Sequence, residues 1–96
     1  MVPREPRGDE RMKILLYFDW TGTRKELKDH DKKMQKSCLE TGVEYEGLYG
    51  SMNEKWNFVW VFEANSFDHF REMSRKVLRP VYMVHYITEL LIPARL

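Results

Sequence analysis

The chain has 96 residues, 43% of them hydrophobic and 32% charged, with a formal net charge of +1. This is the size of one domain with a modest core, and it has no basic excess for nucleic acid or anionic membrane and no acidic tail. Cys38 is the only cysteine, which excludes an internal disulfide and a cysteine-rich zinc site. A reducing compartment follows, with the cytoplasm as the expected location. No apolar run reaches the length of a membrane span or of a signal-peptide core.

Residues 1–11 (MVPREPRGDER) carry two prolines, a glycine and alternating charges, a composition that predicts a flexible leader, with Met12 as a candidate start. Residues 12–96 are then expected to form one domain. Lys13 to Phe18 is a short apolar run, read as the first strand and a central one. Asp19 to Gly22 reads as a turn. Thr23-Arg24-Lys25-Glu26 has the form of a capping box, a hydroxyl followed three residues later by Glu, and opens a helix. Leu27, Met34, Cys38 and Leu39 fall at helical spacing on one side, and Gly42 is placed to close the helix in the left-handed conformation.

Val43 to Gly50 alternates, with Val43, Tyr45 and Tyr49 against Glu44 and Glu46, the pattern of a half-exposed strand. Ser51 to Glu54 turns the chain into the most aromatic run, Trp56 to Phe62. Trp56, Phe58, Trp60 and Phe62 share one face of this strand, and Asn57, Val59 and Val61 share the other. Since only Asn57 interrupts the apolar pattern, both faces are expected to be covered. Four aromatic side chains present roughly 600–1000 Å², more than a monomer ordinarily exposes. Helices of so small a chain can cover one face; the other needs a partner, a ligand or both.

Asn65-Ser66 caps a second helix with Asp68 in its first turn, a stripe of Phe67, Phe70, Met73 and Val77, and Pro80 as its stop. Val81 to Leu91 is the last strand, with Val81, Met83, His85 and Ile87 on one face and Tyr82, Val84, Tyr86 and Thr88 on the other. The order β-α-β-β-α-β is that of a ferredoxin-like α+β fold, a four-stranded antiparallel sheet with two helices on one face.

From Met12 to Pro93 the sequence resembles the dimeric α+β barrel proteins, and within them a small stand-alone group of unknown function. The resemblance rests on Glu46-Gly47-Leu48-Tyr49-Gly50, on the aromatic strand leading into Glu63-Ala64-Asn65-Ser66-Phe67-Asp68, and on the last strand before Pro93. It implies a homodimer in which two sheets pack through their open faces. Members of that superfamily include cofactor-free monooxygenases, lactone isomerases, haem enzymes and effector-sensing domains, so the fold leaves the function open.

The aromatic face supplies the expected dimer interface: Trp56, Phe58, Trp60 and Phe62. Tyr17, Asn57, Trp60 and His85 are the candidate ligand-binding residues, with Trp56, Tyr82 and Tyr86 as further walls of a pocket between sheet and helices or between subunits. His85, mid-strand among apolar residues, suits a general base, a haem ligand or a hydrogen-bond donor, and equally a satisfied core or interface histidine. His30 in Lys28-Asp29-His30-Asp31-Lys32 and His69 after Asp68 resemble metal ligands on paper. Adjacent helix positions point about 100° apart, so both are read as belonging to solvated helix faces, and no metal or cofactor is expected. Cys38 reads as an inert small hydrophobe.

The resulting expectation is a homodimer that binds or senses a small, partly apolar molecule. The alternative is a cofactor-independent monooxygenase or isomerase using His85 or a tyrosine for proton transfer. RNA-recognition modules share the element order and carry base-stacking aromatics on their third strand. Against that reading, Glu54 and Lys55 stand where their motif wants a basic residue and a glycine, and Glu44 and Glu46 lie on the neighbouring strand.

Overall fold

The computed structural model describes residues 11–50 and 57–94. The leader up to residue 10, the Ser51–Glu54 turn and Trp56 lie outside them. Six elements follow in the expected order: β1 (Met12–Trp20), α1 (Arg24–Thr41), β2 (Glu44–Gly50), β3 (Phe58–Ala64), α2 (Phe67–Arg75) and β4 (Met83–Leu91). The strands form one sheet in the order β2-β3-β1-β4, every neighbouring pair antiparallel, which is the ferredoxin-like arrangement.

Local chemistry sets the helix ends. The Thr23 hydroxyl accepts from the Glu26 amide at 3.1 Å while the Glu26 carboxylate accepts from the Thr23 amide at 2.7 Å, closing the capping box from both sides. Gly42 ends α1 at φ 79°, where a side chain would be strained. The Ser66 hydroxyl accepts from the His69 amide to start α2. That helix ends at Arg75, well before Pro80, because its last turn tightens into bonds from Lys76 to Met73 and from Val77 to Ser74.

The sheet's two faces are unlike. Ile14, Leu16 and Phe18 of β1 and Trp60, Phe62 and Ala64 of β3 are buried beneath the helices, with Phe18 stacked on Trp60 at 4.3 Å between ring centroids. The opposite, open face carries Leu15, Tyr17, Val59, Val61, Ile87 and Leu91, as the strand registers require. The expectation that Phe58, Trp60 and Phe62 form a dimer interface is therefore corrected: Trp60 and Phe62 are 0% exposed within the single chain, and Phe58 packs against that core. The aromatic stripe is what the helices cover, and the aliphatic stripe is what they leave.

Two irregularities alter the simple alternation. One extra residue in β2 between Tyr45 and Gly47 turns Tyr45 to the helices and Tyr49 to the open face, with Gly47 at φ 146°. A second, in β4, puts Met83 on the helix side and Ile87 on the open side, although period-two spacing predicts that they share a face. His85 sits in that bulge at φ 47°. Arg11, at the end of the expected leader, belongs to the fold: its guanidinium donates to the Glu63 carbonyl at 3.1 Å and meets Glu44 at 3.3 Å.

The helix-side core is tied down by one carboxylate. Asp31 Oδ1 accepts from Trp60 Nε1 at 2.8 Å and from the Tyr45 hydroxyl at 2.5 Å, and Oδ2 accepts from Gln35 at 2.9 Å. Asp31→Ala leaves an indole N–H and a phenol without their acceptor in a largely buried place. The expected loss is about 2–4 kcal/mol, larger than for Asp31→Asn, which keeps one carbonyl acceptor. Urea denaturation of both variants measures this; an Asp31→Ala protein as stable as the wild type would show that the acceptor contributes nothing.

Candidate functional site

The second helix has nine residues against eighteen in the first, and it packs on α1 and β3. The part of the sheet formed by β1 and β4 is thus only partly roofed. A cleft of about 370 Å³ opens there, within the usual size for small-molecule sites. Leu16, Met34, Phe70 and Met83 make its apolar floor. Ser74, Arg75 and Arg79 stand on the α2 side, Tyr86 and Thr88 on the β4 side, and His30 on α1.

His30 is the unexpected member. It is 6% exposed, with its ring between Trp20 (5.9 Å between centroids) and Trp60 (5.6 Å). Among the described residues no side chain or backbone group hydrogen-bonds its imidazole, and the one completely sealed polar atom without a partner is Arg11 Nε, so the His30 ring is still reachable from the cleft. Burial lowers its pKa, Lys33 lowers it further, and Asp31 opposes both. The side chain is therefore held as a neutral imidazole facing a cavity. A hydropathy-defined stripe misses it, although Leu27, His30, Met34, Ser37 and Cys38 are the buried set of α1 and share one helical face. Leu39, assigned to that stripe by spacing, is 86% exposed.

The four candidates drawn from sequence do not meet. Tyr17 lies on the open face, its hydroxyl donating to Glu89 at 3.4 Å, and its pKa is raised by burial first and by Glu89 second. His85 is near the same face but its side chain is 78% exposed, with Nδ1 3.5 Å from Asp19. Asn57 is exposed, and its backbone amide donates to Asp19 at 3.0 Å. Trp60 is on the other side of the sheet. The pocket of Tyr17, Asn57, Trp60 and His85 is therefore not assembled within one subunit; of the further walls, Tyr86 lines the cleft, while Tyr82 packs on Trp20.

His69 is spent on structure: its Nδ1 accepts from the Asn65 amide at 3.1 Å and its Nε2 faces the Thr41 carbonyl at 2.6 Å. Among the described residues no three acidic, histidine or cysteine side chains come together as a metal site. Cys38 is 2% exposed, and burial pushes its thiol up to about 12, so it packs as a hydrophobe. Among the described residues no helix is long and apolar enough to cross a membrane.

The fold is ferredoxin-like α+β, a four-stranded antiparallel sheet with two helices on one face. It is similar to chlorite dismutase from Candidatus Nitrospira defluvii, solved in complex with imidazole, with a TM-score of 0.63 at 14% identity. That match covers 88% of this chain and 40% of the other, so the chain spans well under half the length of that protein. No family model and no curated protein sequence matches the chain.

The environment of His30 gives stability a pH dependence of known sign. Its folded pKa lies below the ordinary value of about 6.5, so the unfolded chain takes up a proton first as pH falls. The contribution of the neutral ring is complete above about pH 6.5 and is lost below it. The groups around the ring are Lys33 and Asp31 on its own helix, Arg75 and Arg79 across the cleft, and Tyr86 on β4. His30→Gln is expected to flatten the decline in melting temperature between pH 7.5 and 5.5; parallel profiles for the two proteins would refute this.

Proposed function

We propose that the protein is a homodimeric small-molecule-binding or sensing protein whose ligand, small and partly apolar, enters the cleft over β1 and β4. The observation that carries this reading is a buried imidazole with no hydrogen-bond partner among the described residues, facing a cavity with an apolar floor. Water entering the cleft can reach this ring, and a ligand with a matching donor or acceptor can take its place there. The likeness to a larger α+β barrel protein supports the fold-level part of this reading.

The second copy belongs on the open face. Leu15, Val59 and Val61 lie mid-sheet there, Ile87 and Leu91 are 52% and 43% exposed, and Lys13, Glu46 and Glu63 form a charged rim with 2.9 and 3.9 Å contacts. The same geometry weakens the RNA reading, since β3 itself turns Val59, Val61 and Glu63 to the open face, while Phe58 and Trp60 pack on the helix side. The enzyme alternative keeps one specific support: a neutral, desolvated histidine in a cavity suits proton transfer. In that version the base is His30, not His85.

Two experiments test the proposal. N-phenyl-1-naphthylamine, uncharged and mostly apolar, is expected to bind one per subunit with enhanced fluorescence, and Ser74→Trp, which fills the cleft from its α2 wall, to abolish binding. An unaltered titration in that variant would remove the cleft as the site. In sedimentation at tens of micromolar the wild type is expected to be a dimer, and Val61→Arg a folded monomer; a monomeric wild type would remove the homodimer.

A further inference from the structure

The charged side chains lining the cleft are of one sign. Arg75 and Arg79 stand at its α2 side, and no carboxylate lines it. Among the described residues neither guanidinium lies within ion-pair distance of an acidic group, whereas Lys13 and Arg11 on the far face are each paired. Unlike a free surface arginine, Arg79 is already held: its guanidinium lies 4.7 Å from the Tyr86 ring centroid and donates to the Tyr86 hydroxyl. Cation–π support of this kind fixes the fork before a ligand arrives and lowers the ordering cost of binding.

Opposite these cations the floor is Leu16, Met34, Phe70 and Met83, with the His30 ring among them. The site thus presents an apolar surface of modest size, one hydrogen-bonding ring inside it, and at the mouth two guanidinium groups without an acidic partner among the described residues. Resting on the cleft reading above, we infer that the ligand is an apolar carboxylate, its hydrocarbon or aromatic body against Leu16, Met34 and Phe70 and its carboxylate held by Arg75 and Arg79. A phosphorylated or multiply charged molecule fits less well, because most of the lining is apolar and would leave further charge unpaired. An uncharged apolar molecule leaves the two guanidiniums unused. Charge-assisted hydrogen bonds from arginine to a carboxylate are about twice as strong as neutral ones, so the charged end decides between otherwise equal bodies.

The test compares 4-phenylbutyrate with 4-phenylbutan-1-ol, identical apart from the end group, as competitors for N-phenyl-1-naphthylamine bound to the full chain. At low salt the carboxylate is expected to displace the probe at about one-tenth the concentration of the alcohol or less. Raising salt to 0.5 M is expected to weaken only the carboxylate. Arg75→Gln and Arg79→Gln alter exposed side chains. Each is expected to cut the carboxylate's advantage about fivefold and leave the alcohol unchanged. Equal competition by alcohol and carboxylate, or an advantage that survives both substitutions, would overturn the inference while the cleft reading stands. If the naphthylamine itself does not bind, the cleft reading fails, and the inference with it.

Discussion

The Asp31 carboxylate decides which way the sheet faces. A buried indole needs a hydrogen-bond partner for its N–H, and a buried phenol needs one for its hydroxyl. Asp31 supplies both, accepting from Trp60 on β3 and from Tyr45 on β2 with a single oxygen. On the open face, Val59 and Val61 of β3 neighbour Leu15 and Tyr17 of β1 instead. With the acceptor on α1, the aromatic side of β3 must lie under α1, and Val59 and Val61 must face the other way. The cleft and the aliphatic face both follow from that choice.

One turn of α1 then places three different chemistries within reach of each other. Asp31 points at the strands, His30 beside it lies against Trp20 and Trp60, and Met34 one turn on lines the cavity floor. Replacing His30 by an apolar residue of similar size would make an ordinary core. Its presence costs desolvation, seen in the lowered pKa, with no protein hydrogen bond among the described residues to offset it. On the proposed reading, the occupant of the cavity is what meets this ring.

The element order, the antiparallel sheet and both helix starts were legible in the sequence, because capping boxes and period-two or period-3.6 spacing act locally. The orientation of β3 was not. Phe58, Trp60 and Phe62 on one side and Val59 and Val61 on the other are both apolar enough to be buried, so hydropathy cannot rank them. The missing signal was the indole's need for an acceptor, and Asp31 reads as a surface residue until α1 is laid on the sheet. His30 was hidden for the opposite reason: it falls four residues before Met34, on the buried face, but its neighbours Lys28, Asp29, Asp31 and Lys32 make the whole segment look solvated. His85 looked buried because period-two counting continued through β4, and a single extra residue turned that count out of phase. A one-residue slip moves every later side chain to the other face.

β4 is where the two faces come closest to acting on each other. Tyr86 and Thr88 line the cleft, whereas Ile87, Glu89 and Leu91, between and beyond them, lie on the open face. The strand is at the sheet edge, paired only with β1, and the bulge at His85 interrupts that pairing between Tyr17 and Asp19. An edge strand with a break in its ladder yields more readily than a central one, and a molecule seated against Tyr86 and Thr88 would bear on such a strand. Its other side is the surface assigned to the second copy. On the proposed reading no separate signalling element is needed: occupancy on one side of β4 and association on the other would be two loads on the same nine-residue strand.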